Sequence, residues 1–104
     1  MDEKKIAELK AKHPNLDLHV VETAHGTFVV RAPTRAEWHA FKKASKDEMR
    51  AKVAAENFAA ACGIEPSGDA LQTLFESRPA LAETMAGELA EIAGLDNAAS
   101  HRRL

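Results

Sequence analysis

"FVVRAPTRAEWHAF", residues 28–41, is the stretch whose reading decides how this chain is built. Its first residues are β-branched and aromatic, as in a strand. Pro33 ends the strand, because proline cannot donate to a ladder. Thr34 then stands three residues before Glu37, the spacing of a capping box that starts a helix. Trp38 and Phe41 follow at i and i+3, on one face of that helix. The chain therefore turns from strand to helix at Pro33, and its only tryptophan lies just past the corner.

Upstream, "LDLHVVET" alternates well enough for a strand, and "TFVVRA" mirrors it across Ala24-His25-Gly26. Gly26 supplies the positive φ of a hairpin turn. With His25 and Gly26 as the loop residues, Thr23 is expected to face Phe28, and Val21 to face Val30. A lone hairpin is marginal in water, so Trp38 and Phe41 are expected to cover it. The alternative is that Trp38 is a partly exposed anchor for a partner. Residues 2–12 carry Ile6 and Leu9 on one face of a short helix, which His13-Pro14 ends.

Downstream the pattern is helical. "SKDEMRAKVAAENFAAACG" starts at a cap, Ser45 or Asp47, and stops at Gly63. Its apolar stripe is expected to be Met49, Val53, Phe58, Ala61 and Cys62. "IEPSGD" reads as a break. Asp69 with Gln72 suggests a second capping box, followed by Leu71, Leu74 and Phe75. Pro79 suits a first helical turn. Leu81, Met85, Leu89 and Ile92 make the cleanest amphipathic repeat in the chain. Gly94 ends it. The fold class is α+β: an N-terminal helix and β-hairpin, then a mainly α-helical part of about four helices. Residues 1–95 are expected to form one small domain, with residues 96–104 as a mobile tail.

The core that such a chain can bury is modest. Of 47 apolar residues 21 are alanine, leaving 26 larger side chains. A thin core favours a stable state that leans on a partner or on oligomerisation. Net charge is only −2, yet it is unevenly spread. Residues 31–52 carry a local +4 and residues 64–99 a local −6. These segments either steer a partner or attract one another.

No catalytic apparatus emerges. The histidines lack the i, i+4 spacing of a helical metal site. His19 and His25 are the pair a hairpin could bring together, and no further ligand accompanies them. Cys62 sits among alanines and reads as a small buried hydrophobe. Ser100-His101 has no fixed third group for a triad. There is no glycine-rich phosphate loop, so neither catalytic residues, metal nor cofactor are expected. A helix-turn-helix drawn over residues 69–93 would have an acidic recognition helix, unsuited to phosphate. A basic helix face over residues 42–52, with Lys42, Lys43, Lys46 and Arg50, suits nucleic acid better, although Asp47 and Glu48 interrupt it. With no signal peptide pattern and no long apolar run, a cytoplasmic protein without a membrane partner is expected.

The order of pieces resembles the small tail assembly chaperones of tailed phages and prophages. The likeness rests on "FVVRAPTRAEWHAFKKA", "CGIEPSGDALQTLF" and "RPALAETMAGELAEIAGL", spanning about residues 5–95. The resemblance implies a non-enzymatic role in the host cytoplasm. Such proteins hold the long helical tape-measure protein, and sometimes tail-tube subunits such as the major tail protein, and leave before the virion is complete. The family carries no catalytic residue to transfer. Partner-binding candidates come from the residues themselves: Trp38 and Phe41 as anchors, and Val21 and Val29 in a hairpin whose two faces are both partly apolar. Its open edges could add a strand to a second copy, giving a homo-oligomer. The alternative is a nucleic-acid-associated regulator using the basic face.

Overall fold

The hairpin arms are β1 (Leu18–Thr23) and β2 (Gly26–Arg31), paired antiparallel with Val21 opposite Phe28 and Thr23 opposite Gly26. The loop is thus Ala24-His25, one residue earlier than the sequence suggests. Among the described residues no side chain-bearing residue has positive φ, and the positive angle of the hairpin, 126°, falls on Gly26 just after the loop. Thr23 closes the turn: its Oγ1 accepts from the His25 N–H at 3.1 Å and donates to the Gly26 carbonyl at 3.0 Å. The expected pairing of Val21 with Val30 moves by two residues, which leaves the faces of the sheet unchanged.

The computed structural model describes residues 3–94. Around the hairpin stand α1 (Glu3–Lys12), α2 (Arg35–Ser45), α3 (Glu48–Cys62), α4 (Gly68–Ser77) and α5 (Pro79–Ile92). The α+β class and the four helices after the hairpin are those expected. The expected tail at residues 96–104 lies outside the described residues. A third strand, β3 (Gly63–Glu65), was not expected. It follows α3 directly and pairs antiparallel with β2, giving the order β1-β2-β3. Gly63 is therefore where α3 passes into a strand, not a simple stop.

α3 is the central helix and packs against α2, α4 and α5. The core joins Val21, Phe28 and Val30 of the sheet to Phe58 and Cys62 of α3, Leu71 and Phe75 of α4, and Leu81, Met85 and Leu89 of α5. Each fully buried Leu, Met or Phe adds about 1.5–3 kcal/mol. The repeat at Leu81, Met85 and Leu89 is the buried stripe of α5, as its spacing predicts.

The stripe of α3 is not the expected one. Met49 is 84% exposed and Val53 44% exposed. The buried positions are Ala54, Phe58, Ala59 and Cys62. Alanine carries half of this stripe because the helices crowd close. A Cβ added at Gly68, where α4 begins, would lie 2.6 Å from the Ala60 carbonyl oxygen of α3. The capping box expected at Asp69 does not form: α4 starts after Ser67, and the Gln72 amide instead donates to Asn57 Oδ1 at 3.4 Å.

Candidate functional site

The corner after β2 is fastened by one arginine. Arg31 donates from Nη1 to Glu37 Oε1 at 2.7 Å and from Nη2 to Glu37 Oε2 at 2.6 Å. Its Nη2 also donates to the Ala61 carbonyl at 2.8 Å, tying β2 and α2 to the end of α3. Glu37 closes the capping box that its spacing predicts: its Oε1 accepts from the Thr34 N–H, and Thr34 Oγ1 accepts from the Glu37 N–H. The Arg31 fork holds the Glu37 carboxyl down at about 2, helped by the Thr34 amide and against the effect of burial. The same pairing raises Arg31 above its usual value.

Past this corner α2 lies on α3 rather than over the hairpin, correcting the expected cover. Phe41 stacks on Phe58 with centroids 4.5 Å apart, and Trp38 tilts against both rings at 5.9 and 6.1 Å. α2 doubles back because the connection through Lys46 and Asp47 is short. Asp47 Oδ1 accepts from the Met49 N–H and starts α3 immediately. Trp38 and Phe41 are half-buried, and no residue of α2 is fully buried.

This leaves a groove of about 390 Å³ between α2 and α5, with α3 beneath. Trp38, Phe41, Lys42 and Ser45 form one wall, and Glu83, Ala86, Gly87 and Ala90 the other. Ala51, Ala54 and Ala55 of α3 make the floor. Of the alanines here Ala51 is exposed and Ala55 half-buried, whereas Ala54, Ala86 and Ala90 are buried at the base of the groove. A second depression of about 300 Å³ lies on the other side of α2, between Phe41, Ala44, Arg50 and Asn57.

The expected site residues divide in the structure. Trp38 and Phe41 come together at the groove. Val21 and Val29 do not join them: they are 5% and 1% exposed. Val29 also lies on the middle strand of the sheet, between β1 and β3, so it borders no open edge. The outward valine of the hairpin is Val20, 43% exposed. The basic face is not one helix face. Lys42 and Lys43 end α2, Lys46 is its C-cap, and Arg50 belongs to α3. Lys42, Lys43 and Lys46 share a shallow depression with Trp38 and His39, and the Lys42 ammonium lies 5.7 Å from the Trp38 ring centroid. Arg50 lines the other depression, with its Nε 3.7 Å from Asp47 Oδ2.

The remaining polar groups are scattered. His25 is in the hairpin turn, whereas His19 is at the far end of β1, with Nε2 3.1 Å from Asp17 Oδ2. Cys62 is fully buried, and burial, with the Glu37 carboxylate adding to it, pushes its thiol up to about 11. Among the described residues no three His, Cys, Asp or Glu side chains converge as metal ligands. No described helix is long and apolar enough to cross a membrane.

The sequence signal missed here was Gly87. It sits in the middle of α5, where glycine weakens a helix by about 1 kcal/mol relative to alanine. An added Cβ would meet nothing within 4 Å. No packing among the described residues requires it, and it lies in the groove wall.

A family described as a domain of unknown function (DUF6848) matches residues 5–102. The structure of uncharacterised protein rbstp2171 from Bacillus stearothermophilus is similar, with a TM-score of 0.74 at 25% identity, covering 93% of this chain and 99% of that one. No curated protein matches.

Proposed function

We propose that this chain, which belongs to the family described as a domain of unknown function (DUF6848), is a non-enzymatic tail assembly chaperone for a phage or prophage. It holds helical segments of the tape-measure protein, and tail-tube subunits where required, in the host cytoplasm and is absent from the finished virion. The observation that carries this reading is the open groove between α2 and α5, with an aromatic wall and an alanine floor. A floor of small side chains lets a guest helix approach closely, and Trp38 and Phe41 supply the large apolar area that anchors one. A guest that covers the groove adds the apolar burial that the chain's own core lacks. The outer edge of β1 leaves room for a homo-oligomer by strand addition.

The test is co-expression with the tape-measure protein from the same genome, followed by co-purification at moderate salt. A complex that keeps the tape-measure protein soluble is expected. A tape-measure protein equally insoluble with and without this chain would refute the proposal.

A second reading rests on the depression shared by Lys42, Lys43, Lys46 and His39 around Trp38. A nucleic-acid-associated regulator would use these groups on phosphate. DNA binding that weakens steeply with salt would favour it.

A further inference from the structure

The two walls of the groove carry opposite charge along matching ridges. On α2, Trp38, Lys42 and Lys46 follow one another at spacings of four. On α5, Glu83, Gly87 and Glu91 do the same. Residues four apart lie on one helical ridge. Trp38, Lys42, Glu83 and Gly87 line the groove directly. Lys46, the C-cap of α2, and Glu91 are the next residues at this spacing and lie beyond the lining itself.

These charges do not satisfy one another. The ion pairs between Lys or Arg and Asp or Glu within the described residues are Arg31–Glu37 and Arg50–Asp47, so none joins the basic segment to the acidic one. Lys42 has the Trp38 ring for company, and Lys46, Glu83 and Glu91 have no ion-pair partner among the described residues. A groove with apolar depth and unpaired, opposite rims is complementary to a helix whose apolar stripe has carboxylates on one flank and ammonium or guanidinium groups on the other.

We infer that the occupant of this groove is a charge-sorted amphipathic helix of the partner protein, seated with its acidic flank on α2 and its basic flank on α5. The inference rests on the chaperone reading for the identity of that partner and narrows which of its segments is held. It also sets a direction. Turning a helix end for end exchanges its flanks, so each such segment enters the groove one way round. Lys42 and Lys46 discriminate on one side, and Glu83 and Glu91 on the other.

The experiment uses three synthetic helical peptides with the same apolar stripe, measured by fluorescence anisotropy against the whole protein. One has Glu on one flank and Lys on the other, one has Glu on both flanks, and one has Lys on both. The sorted peptide is expected to bind about tenfold more tightly than either of the others, the sum of several modest rim pairs. In a Lys42→Glu, Lys46→Glu variant, whose changes are at exposed positions, preference is expected to move to the peptide with Lys on both flanks. Equal binding of all three, binding of none, or a preference that ignores the variant would overturn the inference. Capture of the tape-measure protein separates this from the chaperone reading. If it is held while the peptides show no preference, only the charge-sorted groove fails. If the sorted peptide wins and the tape-measure protein is not held, only the identity of the partner fails.

Discussion

The two ends of α2 differ in almost every physical respect. At its start, Arg31, Thr34 and Glu37 satisfy one another within a half-buried corner. Further along, Trp38 and Lys42 border an open groove whose charged rims have no ion-pair partners among the described residues. The corner spends its polar groups on holding the fold. The groove leaves its groups unspent. A helix fastened at one end and unfilled along its flank is suited to a surface that must keep its shape while empty.

That contrast makes the corner the place where substitution should hurt most. Arg31→Ala removes both bonds to Glu37 and the bond to the Ala61 carbonyl. It leaves a carboxylate half-buried without its partner, a loss expected at about 3 kcal/mol by urea unfolding. A loss below about 1 kcal/mol would mean that the corner is no lock.

Acid should show the same asymmetry. Glu37 titrates at about 2 in the folded chain, against 4.5 ordinarily. Its contribution is fully present above the ordinary value and is lost as pH falls towards 2. Stability is expected to drop by about 2 kcal/mol over that window. A Glu37→Gln variant should lack this component, and an identical acid profile in that variant would assign the drop elsewhere.

Thr34→Ala deletes only the cap and should cost about 1 kcal/mol. Gly87→Ala, in the groove wall, should do the reverse and raise stability by up to about 1 kcal/mol, because the added methyl meets nothing within 4 Å. Thermal unfolding of the two variants side by side gives both signs in one experiment.

How much of this was legible beforehand also differs between the two regions. The capping box is local, and Thr34 with Glu37 declares it in three residues. The role of Arg31 is not local. An arginine at a strand end looks solvated until Ala61, thirty residues on, supplies a carbonyl. β3 was hidden because three residues between a helix and Pro66 have no period to read. The groove was hidden for a different reason. Large residues such as Met49 and Val53 drew the expected stripe of α3, although packing there selects Ala54, Ala59 and Cys62 around Phe58. Small residues are ambiguous in sequence: the same alanine serves a crowded helix contact or the floor of a channel. Trp38 was placed on the right helix and against the wrong neighbour. A half-turn connection at Lys46 and Asp47, and not the hairpin, decides where α2 folds back.

The measurement that bears most directly on the groove is capture of the co-expressed tape-measure protein by a Gly87→Leu variant. The substitution adds a side chain in open space on the groove wall. The expected result is a protein that unfolds at the same temperature as the wild type or higher, and holds the tape-measure protein at least tenfold less well. Undiminished capture by a well-folded Gly87→Leu protein would contradict the assignment of this groove as the partner's seat.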